Sequence, residues 1–309
     1  MSLFDLSPAA HPPAHVPAST PTAVAVKGLE KSFARREVLR GLDWTVPAGR
    51  VIGLLGRNGA GKTTLLRCLL GLSPLDRGEI ALFGEPMTEP GGERMHRIGF
   101  VPQTFDLFPW MKVRAYLDFT AAFYARWNTA LANRLVGDWQ LDPKQKIGQL
   151  SQGQRQKLAI VRAIAPEPDL LVLDEPVASL DPQARRAFMA ELLELMRGPD
   201  KTVIFSTHIT ADLERAEADI ALLRDGRIQF TRPLAELRAR LRRVVFTRDG
   251  GWPQAPVVAG LLKSTVKGER AELLVEDPLP ESLQALAARE GATVQWETPT
   301  LEDLFVELA

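Results

Sequence analysis

The sequence predicts an α/β fold in which helices cover both faces of a mostly parallel core sheet. The apolar runs VIGLL, LLVLD and TVIFS lack polar alternation, which is typical of strands buried on both faces. Helical patterns follow these runs, and a glycine-rich loop at residues 56–63 separates the first run from its helix. Strands that alternate with helices in this way favour a parallel sheet over an antiparallel one.

Composition limits the partners and the compartment. The 309 residues suit about two domains of roughly 150 residues each. Lysine plus arginine and aspartate plus glutamate both number 38, so no net charge attracts a polyanion and we expect no nucleic-acid partner. The single cysteine, Cys68, can form no internal disulfide, and its apolar neighbours predict a small buried side chain in a reducing compartment. No apolar run approaches the roughly 18 to 20 residues of a membrane span.

The chain divides into segments of different character. Residues 1–22 are rich in proline and alanine and lack the pattern of a signal peptide, so we expect a flexible tail. Short β-rich runs follow in quick succession. Within residues 111–149 Asn128 is expected to cap a helix. Another helix before it is predicted from residues that recur at helical spacing, namely Val113, Leu117, Thr120, Phe123 and Trp127.

The loop GRNGAGKT carries the sharpest signal in the chain. It matches the phosphate-binding pattern G-x-x-x-x-G-K-[ST] in full and lies between a strand and a helix. Glycines let consecutive N–H groups surround a phosphate, the helix N-terminus adds partial positive charge, and Lys62 adds a full charge. Thr63 can place its hydroxyl on Mg²⁺. The residues expected to bind nucleotide here are Gly56, Asn58, Gly59, Ala60, Gly61, Lys62, Thr63 and Thr64.

An acidic pair and a histidine follow two further strands. Asp174 closes an apolar run, and we expect its carboxylate to hold Mg²⁺ from the end of a strand next to that of the phosphate loop. Glu175 is then positioned to polarise an attacking water. Such a pair is often only a solvated strand end, but the phosphate loop in the same chain favours the catalytic interpretation. His208, after TVIFST, is expected at the carboxyl end of an adjacent parallel strand, where ligands of open α/β sheets bind.

The uncharged segment LSQGQ, residues 150–154, predicts a helix N-terminus. Ser151 and Gln154 are spaced as in a capping box, and a helical run follows them. The first N–H groups of a helix have no intrahelical partner. With the Ser151 hydroxyl and no side chain at Gly153, such a tip suits an anion.

Together these motifs resemble the nucleotide-binding domain of ABC ATPases. The resemblance rests on the order phosphate loop, VPQ with Gln103, LSQGQ, LLVLDEP, SLD and STH, and it covers residues 33 to about 243. It implies a P-loop NTPase with an N-terminal antiparallel β-subdomain and a helical insert at about 104–165, within a domain of residues 23–243. Residues 244–309 would then form a small α+β accessory domain. In that part RAELLVED and ATVQWE predict strands, and Thr300 and Asp303 predict the cap of a final helix.

The resemblance implies that the ATP site is shared between two copies. In this family the signature segment of one subunit closes over the γ-phosphate bound to the other, which assigns Ser151, Gly153 and Gln154 to the site of a second copy. Asp181 is expected to cross the dimer interface. Gln152 replaces the usual first glycine of the signature, which is tolerable where the backbone needs no positive φ.

The resemblance also assigns roles around the nucleotide itself. Phe33 falls where the family stacks an aromatic ring on adenine; the alternative is a core phenylalanine. Gln103 is expected to contact Mg²⁺ and the attacking water, and His208 and Glu175 to complete the catalytic group. The expected cofactors are ATP and Mg²⁺, and the expected activity is ATP hydrolysis.

The function implied is that of an ATP-hydrolysing subunit that powers a membrane exporter. Two copies, as a homodimer, are expected to close on ATP and reopen after hydrolysis, at the cytoplasmic face of the cell membrane. A separate integral membrane permease is expected to contact the aromatic segment Phe105, Leu107, Phe108 and Trp110, part of which packs the insert's own core. The ending TLEDLFVELA resembles that of ATPases serving ABC-2 type exporters, which disfavours import. The segment FYARW, followed by KIGQLSQGQRQKLAI, resembles the bacterial branch of that group.

Two other functions stay open at this point. A soluble ABC ATPase acting on ribosomes or nucleic acid uses the same motor, but such proteins usually carry two cassettes or long coiled-coil insertions, whereas this chain has one phosphate loop. A regulatory module that senses ATP without hydrolysing it would have no use for Glu175 and His208.

Overall fold

A computed structural model of the chain describes most of the sequence after the first twenty residues. The described residues are 21–34, 36–87, 92–104, 107–176, 182–196, 198, 200–207 and 210–308. The expected tail at residues 1–22 lies almost entirely outside them. Within these ranges no helix is both long enough and apolar enough to cross a bilayer.

Strands and helices alternate through the middle of the chain. The described strands are β1 (Thr22–Phe33), β2 (Arg36–Pro47), β3 (Val51–Leu55), β4 (Arg77–Leu82), β5 (Glu85–Pro86), β6 (Ile98–Val101), β7 (Leu170–Asp174), β8 (Thr202–Ser206), β9 (Asp219–Arg224), β10 (Arg227–Pro233), β11 (Leu241–Thr247), β12 (Leu261–Lys267), β13 (Arg270–Glu276) and β14 (Thr293–Glu297). The described helices are α1 (Lys62–Leu69), α2 (Val113–Ala121), α3 (Thr129–Asp138), α4 (Gln152–Ile164), α5 (Pro182–Leu195), α6 (Thr210–Arg215), α7 (Leu234–Arg240), α8 (Pro280–Glu290) and α9 (Leu301–Leu308).

The core sheet has the strand order β10-β9-β3-β8-β7-β6. The strands from β9 to β6 pair in parallel, and β10 adds an antiparallel edge. Every residue of β7 and β8 is buried, as their unbroken apolar sequence predicts. Asp225 and Gly226 join β9 to β10 with φ of 52° and 75°, as a two-residue hairpin turn requires. The predicted α/β class with a mostly parallel core sheet is confirmed.

An antiparallel sheet with the order β2-β1-β4-β5 lies against one face of the core sheet. Ile52 and Leu54 of β3 join Leu65 and Leu66 of α1 and the inward residues of this sheet in one apolar cluster. Side chains alternate along a strand, so these two residues of β3 share a face. Cys68 of α1 is buried in the same cluster, as predicted, and burial raises the pKa of its thiol.

The helical insert contains α2, α3 and α4, and α4 packs against β6. Asn128 caps α3 as predicted, because its Oδ1 accepts a hydrogen bond from Leu131 N at 2.8 Å. The prediction of one helix continuing through Phe123 and Trp127 is wrong, since α2 ends at Ala121. Two i→i+3 turns follow α2, and the chain must then extend for Asn128 to act as an N-cap.

The C-terminal part forms a separate antiparallel sheet with the order β12-β13-β11-β14. The helix α8 covers one face of it around a core that includes Val244, Phe246 and Leu283. The predicted strands RAELLVED and ATVQWE correspond to β13 and β14. The first strand of the sheet begins at Leu241, three residues before the boundary expected at Val244, and the division into domains stays a prediction.

The final helix, α9, leaves this sheet and packs against α6. Thr300 and Asp303 form the predicted cap, in which Thr300 Oγ1 accepts from Asp303 N at 3.1 Å. Arg243 of β11 donates to Asp303 Oδ1 at 2.9 Å. Leu301 and Leu304 are 2% and 3% exposed and belong to the same apolar cluster as α6. The helix α9 therefore packs on the helix that follows β8.

Replacing Leu301 with alanine is expected to lower the free energy of unfolding. Removing a buried leucine side chain costs about 2–5 kcal/mol, because transfer energy is lost and a cavity remains. Urea denaturation of the full chain measures the change. Leu279→Ala is the matched control, because Leu279 is 66% exposed and such surface changes stay within about 0.5 kcal/mol. Equal losses for the two variants would contradict the packing of α9 on α6.

Candidate functional site

The polar segments singled out in the sequence meet at the carboxyl edge of the core sheet. The phosphate loop follows β3, Gln103 follows β6, Asp174 is the last residue of β7, and Glu175 follows it. The strands β3, β8, β7 and β6 are consecutive parallel neighbours, so these segments leave the sheet at one edge. The strand of Asp174 is not the direct neighbour of β3, contrary to the prediction, because β8 pairs between them.

The phosphate loop adopts a conformation that its glycines permit. Gly59 and Gly61 have φ of 78° and 107°, a region that residues with a side chain disfavour. A Cβ on Gly56 would lie 2.6 Å from the carbonyl oxygen of Leu223. Gly61 is the N-cap of α1, so helix N–H groups open directly onto the loop. Backbone donors and the partial positive charge of a helix end are thus combined at one place.

Lys62 lies buried at the start of α1, with 6% of its surface exposed. Its Nζ donates to the carbonyl oxygens of Gly56 at 2.7 Å and Arg57 at 3.3 Å. Burial lowers the pKa of the Lys62 ammonium, and the carboxylates of Glu175 and Asp174 act in the opposite direction. The lysine and the two acids therefore share one electrostatic environment.

The acidic pair is held by a serine on the neighbouring strand. Asp174 is 2% exposed, and its Oδ1 accepts a hydrogen bond from Ser206 Oγ at 2.6 Å. Glu175 has a φ of 49°, and its N–H donates to Ser206 Oγ at 3.0 Å. Gln103 Nε2 donates to Glu175 Oε2 at 3.4 Å. Sequence reasoning included Ser206 only as the first residue of the STH motif and missed its role, because a serine at a strand end indicates no chemistry by itself.

The oxygen donors at this edge fit Mg²⁺. They comprise the hydroxyl of Thr63 beside Lys62, the carboxylate of Asp174 and the amide of Gln103. Mg²⁺ prefers oxygen ligands and commonly takes only one or two from the protein, with phosphate and water completing the shell. No group of three or more His, Cys, Asp or Glu converges in the described part of the chain. The donor set suits a nucleotide-bound Mg²⁺ better than a metal held by protein alone.

The LSQGQ segment forms the N-terminus of α4, as predicted. Ser151 Oγ accepts from Gln154 N at 3.2 Å, and Gln154 Oε1 accepts from Ser151 N at 2.9 Å, which completes the capping box. Neither Gln152 nor Gly153 has a positive φ, so glutamine replaces glycine here without backbone strain. Both hydrogen bonds of the capping box join residues of this segment, and neither involves a residue of the phosphate loop.

Phe33 ends β1 and is 52% exposed, which does not fit the alternative of a core phenylalanine. Lys31 Nζ lies 5.2 Å from the centroid of its ring. Phe33 pairs with Arg36 across the hairpin to β2. On β2, Val38 Cγ1 lies so close to the phosphate loop that a Cβ on Gly61 would approach it to 3.0 Å. Stacking of Phe33 on adenine stays a prediction.

A second concave surface, the aromatic groove, is formed by Phe108, Trp110, Phe119 and Phe123, which are 37%, 69%, 46% and 62% exposed. Phe108 stacks on Trp110 with 5.3 Å between ring centroids, and Phe119 meets Phe123 edge-on at 5.1 Å. Three of the four rings line a cavity of about 430 Å³. Leu107 instead is buried in the insert's core, so the aromatic segment divides between core and surface.

Three residues of the expected site lie outside the described residues. They are Phe105, Asp181 and His208. Thr207, the residue before His208 in the sequence, follows the last residue of β8. Its catalytic role and the interface role of Asp181 stay predictions.

Comparisons with known proteins identify similar chains. The ABC transporter family profile matches residues 39–178. The Nod factor export ATP-binding protein I of Burkholderia lata is 36% identical over 291 residues, which cover 91% of this chain and 95% of that protein.

Solved structures have a similar fold. A structure of an ATP-binding subunit of an ABC transporter has a TM-score of 0.62 and 29% identity, covering 71% of this chain and 92% of its own. The dimeric ATP-binding cassette MJ0796 in a post-hydrolysis state, bound to ADP and Pi, has a TM-score of 0.61 and 25% identity, covering 68% of this chain and 98% of its own.

Gly56→Ala is expected to weaken ATP binding by up to about 100-fold, because the added Cβ displaces the phosphate loop from the Leu223 carbonyl and ångström-scale misplacement has costs of that order. Titration with a fluorescent ATP analogue measures the affinity. Gly137→Ala in α3 is the control, since a Cβ there meets no atom within 4 Å. The control should bind ATP normally and gain up to about 1 kcal/mol of helix stability. Normal affinity in Gly56→Ala would contradict the geometry of the loop.

Proposed function

The chain belongs to the ABC transporter family, and we propose that it is the ATP-hydrolysing subunit of a membrane exporter. ATP binding and ATP hydrolysis are activities of this family. We propose that ATP binding and hydrolysis by this chain drive export.

One observation carries the proposal. The phosphate loop, Lys62 and the pair Asp174 and Glu175 converge at one sheet edge, in a chain that is similar over 91% of its length to a protein named for Nod factor export. The similarity includes the accessory region as well as the ATPase core. An exporter subunit accounts for both parts, whereas a regulatory ATP sensor would not require the acids.

In the proposed mechanism two copies close on two ATP molecules. The phosphate loop and Lys62 of one copy bind the triphosphate, and Ser151 and Gly153 at the α4 tip of the other copy contact its γ-phosphate. The Ser151 hydroxyl accepts the Gln154 N–H, and a hydroxyl that accepts keeps its own proton to donate. The first N–H groups of α4 add donors and partial positive charge. The dimeric cassette to which this chain is similar supports such an arrangement.

Hydrolysis then reopens the pair. Glu175 polarises the attacking water, and the hydrogen bond from Gln103 holds its carboxylate in place. Thr63 and Asp174 would hold Mg²⁺, which would supply positive charge to the phosphate oxygens. Loss of the γ-phosphate removes the group that the α4 tip contacts, so the two copies separate.

The aromatic groove is the proposed contact for the membrane partner. Its exposed rings are the residue type that dominates binding energy at interfaces, and an apolar groove of this kind receives an amphipathic helix. We propose that a short helix of an integral membrane permease occupies it, which would hold this chain at the inner face of the cell membrane. The ending TLEDLFVELA supports a bacterial ABC-2 type exporter as the system.

The alternative of a soluble ABC ATPase that acts on ribosomes or nucleic acid is not favoured. The chain carries equal numbers of basic and acidic residues, 38 of each, which gives no overall attraction to a polyanion. Its similar proteins are named as export ATP-binding proteins.

Glu175→Gln is expected to bind ATP, to hydrolyse it about 10² to 10⁴ times more slowly, and to accumulate as a dimer. Phosphate release and gel filtration in ATP measure the two effects. Glu217→Gln is the matched control, because Glu217 is exposed and shares the left-handed backbone, with φ of 46° against 49°. A Glu175→Gln chain that stays monomeric in ATP at high concentration, with or without its membrane partner, would refute the proposed mechanism.

Trp110→Ala is expected to weaken recovery of the chain with its membrane subunit, because a central aromatic contact is worth about 2 kcal/mol or more. The ATPase rate of the isolated chain should not change. The measurement is co-purification with the membrane protein of about six spans that the adjacent reading frame is expected to encode. Val257→Ala is the control, since Val257 is 84% exposed and lies in the accessory region. Recovery with ribosomes instead of membranes would overturn the exporter proposal.

A further inference from the structure

We infer that Ser206 positions both acids of the ATP site through a single hydroxyl group. The inference rests on the proposed function, in which Asp174 holds Mg²⁺ and Glu175 polarises water. Ser206 is fully buried at the end of β8. It is the register partner of Asp174, the last residue of β7, so the two side chains leave the same face of the sheet.

The hydroxyl of Ser206 both donates and accepts a hydrogen bond. It donates its proton to Asp174 Oδ1 at 2.6 Å and accepts the N–H of Glu175 at 3.0 Å. The shorter distance is typical of a hydroxyl that donates to an ionised carboxylate. The Ser206 carbonyl also accepts the Glu175 N–H, at 3.2 Å. One side chain thus fixes the carboxylate of the first acid and the backbone of the second.

The hydrogen bond from Ser206 fixes the orientation of the Asp174 carboxylate. The carboxylate is almost completely buried, and with Oδ1 committed to Ser206 its second oxygen is left as the acceptor for a metal. Groups that hydrogen-bond to a metal ligand fix its orientation and raise metal affinity. Ser206 is such a group, because it hydrogen-bonds to the proposed metal ligand Asp174.

The hydrogen bonds to Ser206 stabilise an unusual backbone conformation of Glu175. Its φ of 49° lies in the left-handed region that glutamate rarely adopts, and such a conformation persists only when its surroundings hold it. Two acceptors on Ser206 bind its N–H, and the side chain then meets Gln103. Without the hydroxyl, one of these two acceptors is lost.

The strand that carries Ser206 also reaches the phosphate loop. Ser206 pairs with Leu54 of β3 on its other side, and Leu54 is followed within two residues by the loop. The hydroxyl therefore lies on β8, which pairs with β3, the strand before the phosphate loop, and with β7, the strand of Asp174.

Ser206→Ala is the test, with Mn²⁺ as the probe. The purified full chain is saturated with ADP and titrated with Mn²⁺ by electron paramagnetic resonance. Loss of a hydrogen-bond partner behind a metal ligand typically lowers metal affinity about 10- to 100-fold, and we expect a change of that size. ADP affinity in EDTA should be unchanged, because the phosphate loop is intact. In ATP hydrolysis kcat should fall more than KM rises.

Two matched variants separate positioning from folding. Ser206→Thr keeps the hydroxyl and should retain most of the Mn²⁺ affinity. Thr202→Val removes a different hydrogen bond at the opposite end of the same strand, where Thr202 Oγ1 accepts from Gly49 N at 3.1 Å, and Thr202 is also fully buried. This control should lower the melting temperature and leave Mn²⁺ affinity unchanged.

The outcomes are distinct. Ser206→Ala could bind Mn²⁺ as tightly as the wild type, or Ser206→Ala and Thr202→Val could lose the same Mn²⁺ affinity. Either result would refute the positioning role of Ser206 and would not affect the proposed ATPase function. A wild-type chain that binds no ADP and shows no Mn²⁺ site would overturn the proposed function and this inference with it.

Discussion

The pairing of β8 between β3 and β7 is the constraint on which the site depends. Ser206 is the register partner of Leu54 on one side and of Asp174 on the other, so the three strands end within one residue of one another. The phosphate loop and the acidic pair therefore start from the same height at the carboxyl edge. A slip of one residue would move a strand by about 3.3 Å and turn each of its side chains to the opposite face. Because the three strands are buried apart from the partly exposed Val51, such a slip would also misplace apolar side chains on both faces of the sheet.

The charges of the site are arranged to balance a phosphate chain. Lys62 is buried beside Asp174 and Glu175, and its ammonium is held by carbonyl oxygens of the phosphate loop. Burial opposes the charge of the lysine while the acids favour it. A triphosphate with Mg²⁺ brings charges of both signs to the same edge, so the proposed ligand and the protein groups compensate each other. The apolar cores on both faces of the sheet hold these few polar groups in position.

The parts predicted correctly from the sequence depend on short-range patterns. The phosphate loop, the capping box at Ser151 and the helix cap at Asn128 are each specified within a few residues. The parts that were missed depend on residues far apart in the chain. The role of Ser206 exists only because β8 pairs with β7, and the end of α2 at Ala121 depends on the capping requirement of the next helix. Hydrophobic periodicity contains no information on either.

The helical insert connects the two surfaces that the proposed transport cycle requires. Its helix α4 is capped by Ser151, a residue expected to contact the γ-phosphate of a second copy, and its helix α2 carries Phe119 of the aromatic groove. Arg162 of α4 donates to the Tyr116 hydroxyl on α2 at 3.2 Å and to the Phe100 carbonyl on β6 at 3.3 Å. One guanidinium on α4 therefore links α2 to the core sheet. A displacement of the α4 tip on ATP binding would be carried through this contact and the surrounding core to the groove, because close-packed interiors transmit movement instead of absorbing it.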